Sequence, residues 1–191
     1  KREEPNLRHV VLNLGPETDR SRIVPILTTK HALDYCLDFA DRAFELGFKS
    51  LVVLGGDKSD GVPRCVEHAH QLRALIRRHT PGLMLGGWTN PHGGLRQVDY
   101  MLAADYSADF YLAQITSHFN MKGVDDFLNE SHRRGMHLPG IFGVFYYRSA
   151  SAATLDLLGQ FFPVPVADLQ RAFAGGESPV DIAARSIAAL A

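Results

Sequence analysis

The stretch Ser50-Leu51-Val52-Val53-Leu54-Gly55-Gly56-Asp57 decides how the chain is read. An almost unbroken apolar run ends in two glycines and a carboxylate. Apolar residues that follow one another without alternation mark a strand covered on both faces, as in parallel sheets. Two glycines at its exit allow a sharp turn, or let another group lie against the backbone. A solvent-facing loop would explain Gly-Gly-Asp by itself. The weight therefore falls on whether other strands end alike.

They do. Comparable β-rich runs span residues 9–14, 23–28, 83–88, 110–115 and 141–146, with helical patterns between them. Residues 31–46 place Leu33, Cys36, Leu37, Ala40, Ala43 and Phe44 on one stripe and stop at Gly47. Residues 62–79 carry a proline in the expected first turn and close on Arg77-Arg78-His79, cations suited to a helix C-terminus. Residues 95–106 and 123–134 repeat the theme, and 178–191 read as an amphipathic helix capped by Ser178 with Pro179 and Asp181. The prolines of Phe161-Phe162-Pro163-Val164-Pro165 break an apolar stretch that is expected to pack a loop onto the core. From residue 23 the rhythm is strand, helix, strand at a repeat of roughly 30 residues, the size of a βαβ unit.

The fold class is therefore α/β with a parallel sheet. Two architectures fit. An open doubly wound sheet suits the 191-residue length, whereas a (β/α)8 TIM-type barrel typically needs about 250 residues. The chain enters its first strand abruptly and ends on a helix, as a barrel segment incomplete at both ends would. Residues 1–191 are read as one such domain, lacking the first and last strands, with the open sheet as the alternative.

In both architectures ligands bind at the carboxyl ends of the strands. The strand exits here carry Thr28 to His31, then Gly55, Gly56, Asp57 and Lys58, then Asn90 and His92, then Gln114 to His118, then Tyr146, Tyr147 and Arg148. Gln114 weighs most. It lies inside an apolar strand, where an amide without partners costs about 1–3 kcal/mol.

Composition narrows the functions. The chain is 46% hydrophobic with a formal net charge of −1, so a nucleic-acid partner is not expected. No apolar run approaches the roughly 20 residues of a membrane span. Cys36 and Cys65 fall in expected helices without metal-ligand spacing, which suggests reduced thiols in a cytoplasmic protein and no disulfide framework.

With these residues in place, the chain resembles the methylenetetrahydrofolate reductase family of flavin-containing barrels. Leu54-Gly55-Gly56-Asp57 is similar to the family strand ending in Arg-Gly-Asp, Ser107-Ala108-Asp109-Phe110 through Gln114 to its Gly-Ala-Asp-Phe strand ending in Thr-Gln, and the segment from Phe127 to Val144 to its next helix and strand. The resemblance implies a small folate-type substrate and hydride transfer, with FAD bound and NAD(P)H as donor. Asp57 would tune the flavin, with Thr28, Gly55, Gly56, Asn90 and His92 beside it. Gln114, Tyr146 and Arg148 would contact substrate. No general acid is identified. The chain departs from the pattern where the family arginine is replaced by Gly55, the Tyr-Pro by Asn90-Pro91, and a phosphate-binding lysine falls near Ala103.

Two other readings stay open. A non-catalytic folate- or ligand-binding barrel needs no general acid. A metal-dependent barrel hydrolase would use His31, His92, His118 and Asp57, but no His-x-His on a strand supports a metal, and none is expected. Homo-oligomer formation is left open by the sequence.

Overall fold

The computed structural model describes residues 13–56 and 61–191. Asp57, Lys58 and most of the strand expected at 9–14 lie outside the described residues, and Asn13 and Leu14 at its end are helical. The described residues form a five-stranded parallel α/β sheet with seven α-helices. The strands are β1 (Ile26–Thr28), β2 (Ser50–Leu54), β3 (Met84–Thr89), β4 (Phe110–Thr116) and β5 (Gly140–Val144). The helices are α1 (Leu33–Glu45), α2 (Ala69–His79), α3 (Arg96–Leu102), α4 (Lys122–Arg133), α5 (Ala152–Gly159), α6 (Val166–Ala174) and α7 (Pro179–Ala188). Strand order follows chain order, β1-β2-β3-β4-β5.

Two compact units divide the chain, the first comprising residues 1–88 and 104–111, the second residues 89–103 and 112–191. In the first unit, Ile26 pairs with Val52 and Val52 with Gly86, while Leu51 pairs with Leu85. Side chains alternate across a strand, so this register sorts the unit into two faces. Leu27, Leu51, Val53 and Leu85 pack against Cys36 and Ala40 of α1 and Leu72 and Ile76 of α2. The other face carries Ile26 at 55% and Met84 at 52% exposure, while Gly86 lies under the Phe110 ring. A methyl group on Gly86 would fall 2.6 Å from that ring, so only glycine admits it.

Buried Arg73, 1% exposed, ties α2 to the segment before β4. Its Nε and Nη2 donate to the carbonyl of Tyr106, at 3.0 and 2.5 Å, and its guanidinium lies over the Tyr106 ring. Asp109 closes the same corner, accepting from the backbone N–H of Leu85 at 2.7 Å and from Arg77 at 2.9 Å. The aspartate of the Ser-Ala-Asp-Phe motif is thus committed to holding β3.

One helix starts later than its periodicity predicts. The expected helix over 62–79 begins only at Ala69, so Pro63 and Cys65 precede it. Tertiary bonds explain the delay: the Cys65 N–H donates to the Thr29 carbonyl at 2.7 Å, and Arg64 donates to the carbonyls of Gly56 and Glu67. The Gln71 side chain then accepts from the His68 N–H at 2.9 Å and opens the helix there.

In the second unit the core gathers Tyr147, Leu155, Leu169, Ala172 and Ile182, with Phe145, Phe162, Val164 and Val166 packed around them. The proline-broken stretch between α5 and α6 therefore packs Phe162 and Val164 onto this core, while Phe161 stays exposed. Ser178 caps α7 as its sequence predicts, accepting from the Asp181 N–H at 3.2 Å.

Candidate functional site

Polar groups gather at the strand exits of each unit, and they differ in what they leave free. In the first unit, Thr29 is fully buried just past β1, and its hydroxyl donates to the Gly55 carbonyl at 2.8 Å. The Thr28 hydroxyl accepts from the Lys30 N–H at 3.4 Å, while Lys30 Nζ donates to the Val62 carbonyl at 2.9 Å. Gly56 has φ +70°, a left-handed conformation that favours glycine. A methyl group there would lie 2.6 Å from Cγ of Lys30, and one on Gly55 would meet the Arg64 guanidinium at 3.3 Å. The two glycines do let something lie against the backbone, and in this structure it is Lys30 and Arg64.

In the second unit the residues expected at the site from β3 and β4 meet around one residue, Ile115. The Asn90 side chain accepts from the His92 N–H at 3.1 Å, closing the turn after β3. His92 Nε2 then reaches the Ile115 carbonyl of β4 at 3.3 Å. Gln114 takes the other end of that residue, its Oε1 accepting from the Ile115 N–H at 2.9 Å, and its Nε2 donates to the Phe161 carbonyl at 3.2 Å. Asn90, His92 and Gln114 are thus brought together. Beside His92 lies a cavity of about 270 Å³ lined by Leu95, Lys122, Gly123 and Asp126 among others. Lys122 donates to Asp126, which raises its pKa. Tyr146 and Arg148 are exposed just beyond β5, whereas Tyr147 between them is buried.

His118 enters through a partner that nothing in the sequence announces. Its Nδ1 is 2.9 Å from the hydroxyl of Ser186 on α7, which also donates to the Ile182 carbonyl at 3.1 Å. A Ser186 hydroxyl that donates to Ile182 accepts from Nδ1–H and leaves Nε2 as an acceptor. That nitrogen is buried without a partner, as is the hydroxyl of Tyr147. Burial, then the charge of Arg185, lowers the His118 pKa and favours the neutral ring. Burial likewise pushes the Tyr147 hydroxyl up to about 12. Ser186 lies 68 residues from His118, a separation at which no local spacing could have signalled the pair.

Among the described residues no three His, Cys, Asp or Glu side chains form a group able to hold a metal ion. No helix among them is long and apolar enough to cross a membrane.

No protein-family model matches the chain. A search of curated proteins likewise finds no match. Among solved structures, the chain is similar to an uncharacterized protein from Clostridium thermocellum that binds two copies of 5-methyl-5,6,7,8-tetrahydrofolic acid, with a TM-score of 0.60 and 17% sequence identity. The alignment covers 86% of this chain and 59% of that one. At this identity the similarity is one of fold.

Proposed function

We propose that the sheet belongs to a (β/α)8-type barrel that binds a reduced folate at the carboxyl ends of its strands. The fold similarity to a protein that binds 5-methyltetrahydrofolate carries this reading. The winding supports the barrel. Strand order follows chain order, without the reversal that creates the switch point of a doubly wound sheet. In the first unit the strands turn large apolar side chains, Ile26 and Met84, away from the helices, as inward-facing barrel residues do.

Gln114 is the proposed pterin contact. A primary amide offers two donors and two acceptor positions. Ile115 and Phe161 occupy one of each. One donor and one acceptor position remain, the pair of functions that a cyclic amide edge such as that of a pterin would need. Phe161, 65% exposed next to this amide, offers apolar surface.

A bound flavin fits the first unit less well. The Gly55-Gly56 ledge is packed by Lys30 and Arg64, so a flavin ring would have to displace both. In the second unit the Asn90 and His92 side chains are hydrogen-bonded to the protein itself. The reading therefore rests on folate binding, and a methylenetetrahydrofolate reductase-like hydride transfer is its stronger form. Titration calorimetry with 5-methyltetrahydrofolate tests the first. Saturable binding that weakens about tenfold or more in Gln114→Leu is expected, from the loss of roughly 1.4 kcal/mol or more of hydrogen bonding. No heat at millimolar ligand would sink the proposal. Absorbance titration with FAD, then oxidation of NAD(P)H in the presence of methylenetetrahydrofolate, tests the second. Failure there alone would leave a folate-binding protein.

A further inference from the structure

We propose that Cys36 and Cys65 form a redox-active dithiol that low-molecular-weight disulfides oxidise to an intramolecular disulfide. This inference is independent of what the strand exits bind. The two residues lie 29 positions apart in sequence and are anchored at adjacent carbonyls where β1 ends. The Cys36 Sγ lies 3.8 Å from the Thr28 carbonyl, and the Cys65 N–H donates to the Thr29 carbonyl at 2.7 Å. Both side chains pack into the same apolar cluster of the first unit. Cys36 is held rigidly in the first turn of α1, while Cys65 sits in the stretch before α2 that Arg64 pins to Gly56 and Glu67. Burial first, then the nearby Cys65 thiol, push the Cys36 thiol up to about 12.

The pair divides the chemistry by accessibility. Cys36 is fully buried, and Cys65 is partly exposed. The Cys65 thiolate attacks one sulfur of the incoming disulfide, the S–S bond breaks, and one small thiolate leaves. Cys65 is then neutral, which removes the charge that opposed ionisation of its neighbour. Cys36 loses its proton and attacks Cys65 Sγ, expelling the second small thiolate. Two protein thiols are oxidised and one small disulfide is reduced to two thiols, with no further reactant required.

The new bond would close a loop of about 30 residues that contains β2 and the Gly55-Gly56 ledge. Locking that loop is expected to raise Tm by about 5–10 °C. The test incubates the full chain with oxidised glutathione, then alkylates it under denaturing conditions and records intact and peptide masses. The expected product has lost two hydrogens, takes up no alkylating agent, joins the Cys36 and Cys65 peptides, melts higher and reverts with dithiothreitol. Cys36→Ala should stop at a stable glutathione adduct on Cys65, and Cys65→Ala should not react while folded. Circular dichroism checks that each variant folds, with Cys36→Val replacing the alanine if that fails. A wild-type chain that accumulates only the mixed disulfide, or that retains two alkylatable thiols, overturns the proposal.

Discussion

Both units present polar residues at their strand exits, and they use them differently. In the first, the Thr29 hydroxyl, Lys30, Arg64 and the carbonyls of Gly55, Gly56 and Val62 satisfy one another. In the second, Gln114 keeps half its hydrogen-bonding capacity, and His118 Nε2 and the Tyr147 hydroxyl lack partners altogether. Buried polar groups without partners cost stability, so such groups at a strand exit point to a ligand or water that completes them. Polar character alone did not distinguish the two exits. Satisfaction did.

Several substitutions would break or sharpen this contrast. The largest effect is expected from Arg73→Met, which removes bonds from a charged donor to the Tyr106 carbonyl and leaves that carbonyl buried. Urea denaturation should show a loss of about 3 kcal/mol, with folate affinity little changed if the second unit carries the site. Gly56→Ala forces a side chain into φ +70° and against Lys30. The aliphatic stem of Lys30 can yield, so about 1–2 kcal/mol is expected. A loss near zero would mean the ledge is not closed as described. Ser178→Ala removes a cap from α7, the helix that brings Ser186 to His118, and should cost about 1 kcal/mol.

The smallest effect is a pH dependence. The folded-state pKa of His118 lies below its ordinary value, mainly through burial. The unfolded chain takes up this proton near pH 6.5, before the folded chain does. The unfolded state then binds more protons, so stability falls as pH drops from about 7 toward the lowered folded value. Melting curves between pH 5 and 8 should show this slope, and His118→Asn should flatten it. An unchanged slope in the variant would assign the dependence to other groups.

Part of this was legible in the residues. The run from Ser50 to Leu54, the stripe of α1 and the Ser178-Pro179-Asp181 cap all lie where pattern places them, because each depends on neighbours within a few positions. The start of α2 was not legible. Helical periodicity extends back toward Val62, but hydrogen bonds from Cys65 and Arg64 to the ends of β1 and β2 outweigh it. Gln114 was legible as an unusual amide in an apolar strand. Whether its partners were protein or ligand depended on Phe161, 47 residues away.

The sequence by itself determined the α/β class and which residues stand at the strand exits, since apolar runs and breakers act locally. Only the tertiary structure decided which of those residues are already satisfied. It filled the glycine ledge with Lys30 and Arg64, set His118 on Ser186, and packed Cys36 and Cys65 into one apolar cluster. Hydrogen bonds and thiol contacts depend on distances of a few ångströms between groups far apart in the chain, and no spacing along the sequence encodes them.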